Sequence, residues 1–214
     1  MDWIRGIAIH VVLIGMAAPC AAESLAPAYG AAVDQLAGYC MGSVCLGMSM
    51  QDVAKLGTLE FKQWTPPKDP QPICDPLMAG RGGLLRTSSG ERAHLTFELV
   101  GATGAAASRY RVVGITRTFP ELSLYDVHSM SRQLVKRFGG MKRVINPQMS
   151  PDNAQWKKSV GNFELTVAYG KNDQLMGPFD QLGRTISVSG SVSQDWLYEQ
   201  AACEPPEDPR LPKL

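Results

Sequence analysis

The sequence predicts an α+β fold, with an N-terminal helix-loop-helix and a later helix packed on antiparallel sheet, as one unit or as two related units. Three observations predict it. Two short helical stripes precede every strand signal. Alternating apolar and polar runs then recur between turn-rich stretches, as hairpin-connected strands require. One longer helical stripe divides these strands into an earlier and a later set near Pro120.

The elements follow in order. Leu25, Tyr29, Val33 and Leu36 recur at helical spacing, so a first helix starts near Pro27 and ends near Gly38. Ser49 is placed to cap a second helix by accepting from the Asp52 amide, and Asp52 puts negative charge in its first turn. Met50, Val53, Ala54 and Leu56 give that helix a short apolar face, with Gly57 at the left-handed position after it. "TLEFKQW" reads as a strand to Trp64, stopped by "TPPKDPQP", where prolines remove backbone donors. "LLRTSSGERAHLTFELV" reads as a hairpin turning at Ser89-Gly90, with Leu95, Phe97 and Leu99 on one side and Thr96 and Glu98 on the other. "RYRVVGITRTF" lacks a clean polar face, as a central strand should. Val127, Met130, Leu134 and Phe138 form the stripe of the long helix, with Ser123 as N-cap, Lys136 and Arg137 in the last turn, and Gly139 beyond it. "MKRVIN" returns to strand, "PQMSPDNAQWKKSVGN" reads as a polar loop carrying Trp156, and "NFELTVAYG" and "RTISVSGSVS" alternate as two more strands.

The N-terminus has the form of a secretory signal peptide. Arg5 supplies a positive start, Gly6 to Ala18 is apolar except for His10, and small residues end at Ala22. The run is shorter than the roughly 20 residues a membrane span needs. Cys20 follows Pro19 instead of the small residue that lipidation requires. The chain therefore divides into a signal peptide over 1–22, helix-loop-helix plus strands over 23–119, helix plus strands over 120–203, and a Pro-rich acidic tail over 204–214 that is expected to be disordered. A soluble periplasmic or secreted protein is expected, with no transmembrane helix after cleavage.

Signal removal leaves four cysteines, Cys40, Cys45, Cys74 and Cys203. An even number in an exported chain predicts two disulfides. Spacing does not fix their connectivity. The most economical pairing is Cys40–Cys45 with Cys74–Cys203. Zinc would need further ligands close to the Cys40–Cys45 pair, and none is close in sequence. A redox pair would favour two intervening residues at a helix start, not four.

Charge is uneven. The stretch from Arg81 to Lys158 carries 13 Lys/Arg against 5 Asp/Glu, a net of +8, and the rest of the mature chain nets −7. Either the segments neutralise each other on folding, or Arg109, Arg111, Arg117, Arg132, Lys136 and Arg143 share a basic face for an envelope protein or an anionic surface. Nucleic acid is not expected, because no aromatic–basic recognition motif is present. Only His94 and His128 remain after signal removal, and no G-x-S-x-G elbow occurs. "AGRGGLLRTSSG" matches neither phosphate-loop spacing. No catalytic residue, metal site or cofactor is therefore expected. An enzyme would need a site built from distant residues, such as Ser129 or Ser131 with His94 or His128.

Leu46, Gly47, Met48, Ser49, Asp52, Val53, Leu56 and Gly57 form a helix-start motif, "LGMSMQDVAKLG". It resembles that of the small lipoprotein subunit of the outer-membrane β-barrel assembly machine. It is also similar to the related β-lactamase inhibitory protein fold. There, helix-loop-helix units pack on antiparallel sheets, each with a disulfide. The resemblance implies a scaffold or binding module that meets another protein through its sheet or a helix face, with an inhibitor of an exported enzyme as the alternative. Non-reducing digestion of the mature protein should yield a Cys40–Cys45 peptide and a separate Cys74–Cys203 peptide. A Cys45–Cys74 peptide would refute that pairing.

Overall fold

The computed structural model describes residues 29–61, 81–100, 109–172, 182–193 and 196. Residues 29–34 are helical and are labelled α1. A small hairpin follows, β1 (Cys40–Met41) and β2 (Val44–Cys45), and then α2 (Met50–Ala54). The larger sheet begins with β3 (Gly57–Glu60), β4 (Arg81–Thr87), β5 (Arg92–Leu99) and β6 (Tyr110–Phe119). After α3 (Leu124–Phe138) come β7 (Lys142–Arg143), β8 (Ala154–Val160), β9 (Phe163–Asn172) and β10 (Gly183–Val192). The described chain is mostly antiparallel sheet with a few helices.

The eight strands lie in the order β3-β4-β5-β6-β10-β9-β8-β7. Each half is a meander of four consecutive strands preceded by a helix, and the two meanders pair through their last strands, β6 and β10. One continuous sheet results. Strand alternation gives it two unlike faces. Leu95, Ile115, Val188, Val167 and Trp156 stand side by side across five strands and are all buried. On the opposite face the matching row is His94, Thr116, Ser187, Ala168 and Gln155.

The helical segments cover the apolar face. Leu36, Val53 and Val127 are fully buried in the core. Each such side chain contributes roughly 1.5–3 kcal/mol of burial free energy. Leu36 reaches the sheet at Gly190, where a Cβ would lie 2.5 Å from Leu36 Cδ1. Glycine is required there by the close approach, not by its backbone angles.

Local signals act as expected at the helix starts. Ser49 Oγ accepts from the Asp52 amide at 3.1 Å. Hydrogen bonds from Lys55 and Ser49 hold the Asp52 carboxyl below its ordinary range. Ser123 and Asp126 form a reciprocal capping box at α3, and Gly139 (φ 62°) ends that helix. The connection between α1 and α2 holds the β1–β2 hairpin, in which Cys40 and Cys45 are register partners joined by a disulfide. Closing so short a loop stabilises by about 2 kcal/mol in the chain-entropy model.

Several expectations are corrected. Trp156 lies in β8, not in a loop, because Ala154 and Trp156 alternate into the core while Gln155 and Lys157 face away. Gly57 has no left-handed backbone. It opens β3, and a Cβ there would collide with the Arg86 carbonyl oxygen across the ladder. The first strand ends at Glu60, and its expected continuation to Trp64 falls outside the described residues. His94 is 8% exposed and its register partner Leu84 is buried too, so this end of the second face is not solvated. Cys74, Cys203 and the tail lie outside the described residues.

Glu98 also departs from expectation. It is largely buried and accepts a hydrogen bond from the Tyr29 hydroxyl of α1. Burial pushes its carboxyl up to about 7. A carboxyl raised by folding favours the folded state while it is protonated. That contribution is complete below the ordinary value of 4.5 and is lost as pH rises through about 7. Stability should therefore fall by up to about 3 kcal/mol across this window from Glu98 alone. Glu98→Gln keeps an acceptor for Tyr29 and should flatten that part of the curve in denaturant titrations at pH 4.5 and pH 8. An unchanged slope would refute the assignment.

Candidate functional site

α3 presents two faces. Val127, Ser131 and Phe138 are buried toward the sheet. Tyr125, His128, Arg132 and Lys136, at spacings of three, four and four, form a second stripe beside them. Beneath this stripe the sheet runs out to β8 and β7. The gap between helix and strands is an open groove of about 710 Å³ lined by Tyr125, His128, Ser129, Arg132, Gln133, Val135, Lys136, Met141, Arg143 and Trp156.

An aromatic cluster fixes its floor. His128 Nδ1 lies 3.1 Å from the Tyr169 hydroxyl. The His128 ring meets Tyr169 and Trp156 edge-on, with centroids 5.6 and 6.3 Å away. At the far end, Lys158 Nζ donates to the Phe138 carbonyl at 2.7 Å and lies 4.7 Å from the centre of the Tyr39 ring. That contact satisfies a carbonyl left open where α3 ends.

The rim is cationic. Arg132, Lys136 and Arg143 are all exposed. Among the described residues no carboxylate lines the groove, and none of the three cations makes an ion pair. Residues 127–151 hold five Lys/Arg and no Asp/Glu, because Arg137 and Lys142 flank the same region. The local field therefore favours an anion.

Only half of the expected basic face is assembled here. Arg109 is buried, 9% exposed, at the entry to β6. Arg111 spends its guanidinium on the Gly47 carbonyl at 3.1 Å, holding the turn before α2. Arg117 faces Glu91 at 3.6 Å and lies over the Phe119 ring. Arg111 and Arg117 are thus engaged within the fold, and none of the three lines the groove. Sequence reasoning missed Tyr125, Met141 and Trp156 as neighbours of the cations. The second stripe on α3 was a legible signal for Tyr125. Trp156 was hidden by reading β8 as a loop.

The expected alternatives are also placed. Ser131 is buried and donates to the Val127 carbonyl at 2.8 Å, a bond within its own helix. Among the described residues neither Ser129 nor Ser131 hydrogen-bonds an imidazole, and no group of three or more His, Cys, Asp or Glu is placed to hold a metal. No helix among them is long and apolar enough to cross a membrane. No family model, curated protein or solved structure matches the chain.

A cluster of like charges with no ion-pair partner among the described residues should not help folding. Arg132 and Lys136 stand one helical turn apart and repel. Arg132→Glu replaces that repulsion with a favourably ordered Glu–Lys pair and should raise the unfolding free energy by about 0.5 kcal/mol in denaturant titration. A loss above about 1 kcal/mol would mean that Arg132 is structural.

Proposed function

We propose that this protein is an exported, non-enzymatic binding module of the cell envelope, soluble in the periplasm or outside the cell. Its basic groove takes an acidic segment of a partner protein. The observation that carries this reading is the groove itself, where three exposed cations converge over an aromatic floor with no carboxylate among the described lining residues. Anions held by such a rim gain charge-assisted hydrogen bonds, and the apolar floor accepts the side chains between them.

The compartment reading rests on the signal-like first 22 residues and the Cys40–Cys45 bond, which suits an oxidising environment. The finer fold reading is that of two related units. Each would have a helical lead and a four-strand meander, α1–α2 with the hairpin forming the first lead. The paired meanders support it. A second reading, an inhibitor of an exported enzyme, rests on the resemblance carried by the helix-start motif "LGMSMQDVAKLG". The polar sheet face is the weaker contact candidate. Thr116, Ser187 and Ala168 give it small side chains where interfaces usually place large anchors.

The test is a titration of the purified mature protein with a glutamate-rich peptide. Binding should weaken as salt rises from 50 to 200 mM, since exposed charges are screened. Arg132→Glu combined with Arg143→Glu should weaken it at least tenfold. Lys157→Gln, on the opposite sheet face and paired with Glu164, should leave it unchanged. Equal binding by the folded double variant, or no binding to acidic peptide at all, would overturn the proposal.

A further inference from the structure

We infer that β7 is a docking edge. An extended acidic segment of the partner adds to it as a further strand, extending the sheet beneath the groove. This rests on the acidic-partner function proposed above and gives its mode.

Three observations carry it. First, β7 ends the sheet among the described residues, and its outer backbone is open. Lys142 pairs with Lys157 and Arg143 with Trp156, and the Val144 amide donates to the Gln155 carbonyl at 2.8 Å. Alternate residues of an antiparallel strand bond to the same neighbour. With Val144 turned toward β8, Arg143 and Ile145 turn their amides and carbonyls outward. Among the described residues nothing pairs with those groups.

Second, the Val144–Gln155 bond carries the ladder one residue past β7, and Ile145 comes next along this edge. It is 91% exposed, the most exposed of the large apolar side chains among the described residues. A strand added alongside would cover it. Third, the charge selects the strand. Cations on an edge normally discourage pairing with other chains. Here Arg143 on the edge and Arg132 and Lys136 above it repel basic strands and admit acidic ones. Groove-side residues of an extended strand repeat every ~6.6 Å, close to the ~6 Å rise between Arg132 and Lys136. The fitting segment therefore carries acids at alternate positions, acid-x-acid, with main-chain bonds giving affinity and the cations giving choice.

The full mature protein is titrated with two peptides of equal composition, one alternating Glu and Val and the other carrying them in blocks. The alternating peptide should bind at least tenfold tighter. The Arg143 and Ile145 amides should gain hydrogen-exchange protection. N-methylation along one edge of the peptide should abolish binding, and along the other edge should not. Ile145→Glu, at an exposed position outside the core, should weaken binding several-fold. Equal binding of both peptides without protection at β7 would overturn strand addition and leave the acidic-partner function standing. Failure of both peptides would overturn the two together. Binding to phosphatidylglycerol vesicles but to neither peptide would identify an anionic lipid surface and refute the acidic segment.

Discussion

The pairing of β6 with β10 is the contact on which the rest of the molecule depends. Each meander could hydrogen-bond its own strands, but alone it would leave its last strand as an open edge. Joined, the two halves turn that edge into the centre of one sheet. Ile115 and Val188 face each other across the junction, both fully buried. The apolar row then runs unbroken from Leu95 to Trp156, and a single surface is available for α1, α2 and α3 to cover. α3 lies across β9 and β10, so the junction also sets how far it stops short of β7. That shortfall is the groove.

Legibility in the sequence followed the length scale of each cause. Helix starts were readable because capping is local: Ser49 reaches Asp52 and Ser123 reaches Asp126, each three residues on. Strands with clean alternation, such as β9, were readable for the same reason. β8 was not, because its solvent-facing side carries Gln155 and Lys157 and its core side carries a lysine at 158, which masks the period. Lys158 is explained only by the Phe138 carbonyl twenty residues away. Long-range proximity was hidden throughout. The six arginines and lysines singled out by charge divide into three that line the groove and three that do not. Nothing local distinguishes Arg117, held by Glu91, from Arg143, which points into the groove. Glu98 reads as an outward residue of an alternating strand. Register shifts between Thr96 and Phe97, and beyond that irregularity Glu98 is the register partner of Arg111.

The groove and the core treat charge in opposite ways. Core-side charges are answered individually, Arg111 by a carbonyl and Glu98 by a hydroxyl. Among the described residues the groove cations have no ion-pair partner and stand adjacent, which costs the isolated protein a little stability.

The strand order has a consequence in time. β10 is the last strand of the described chain, yet it stands at the middle of the sheet. The central ladder cannot form until residues 183–192 are available, whatever the earlier strands have done. β6 waits some sixty residues for its neighbour, and pairings so distant in sequence close slowly. The Cys40–Cys45 ring spans five positions and can close at once. Maturation should therefore run from a pinned N-terminal corner to a late insertion at the centre. A nascent or truncated chain lacking its last strand would hold both halves apart, each with an exposed edge.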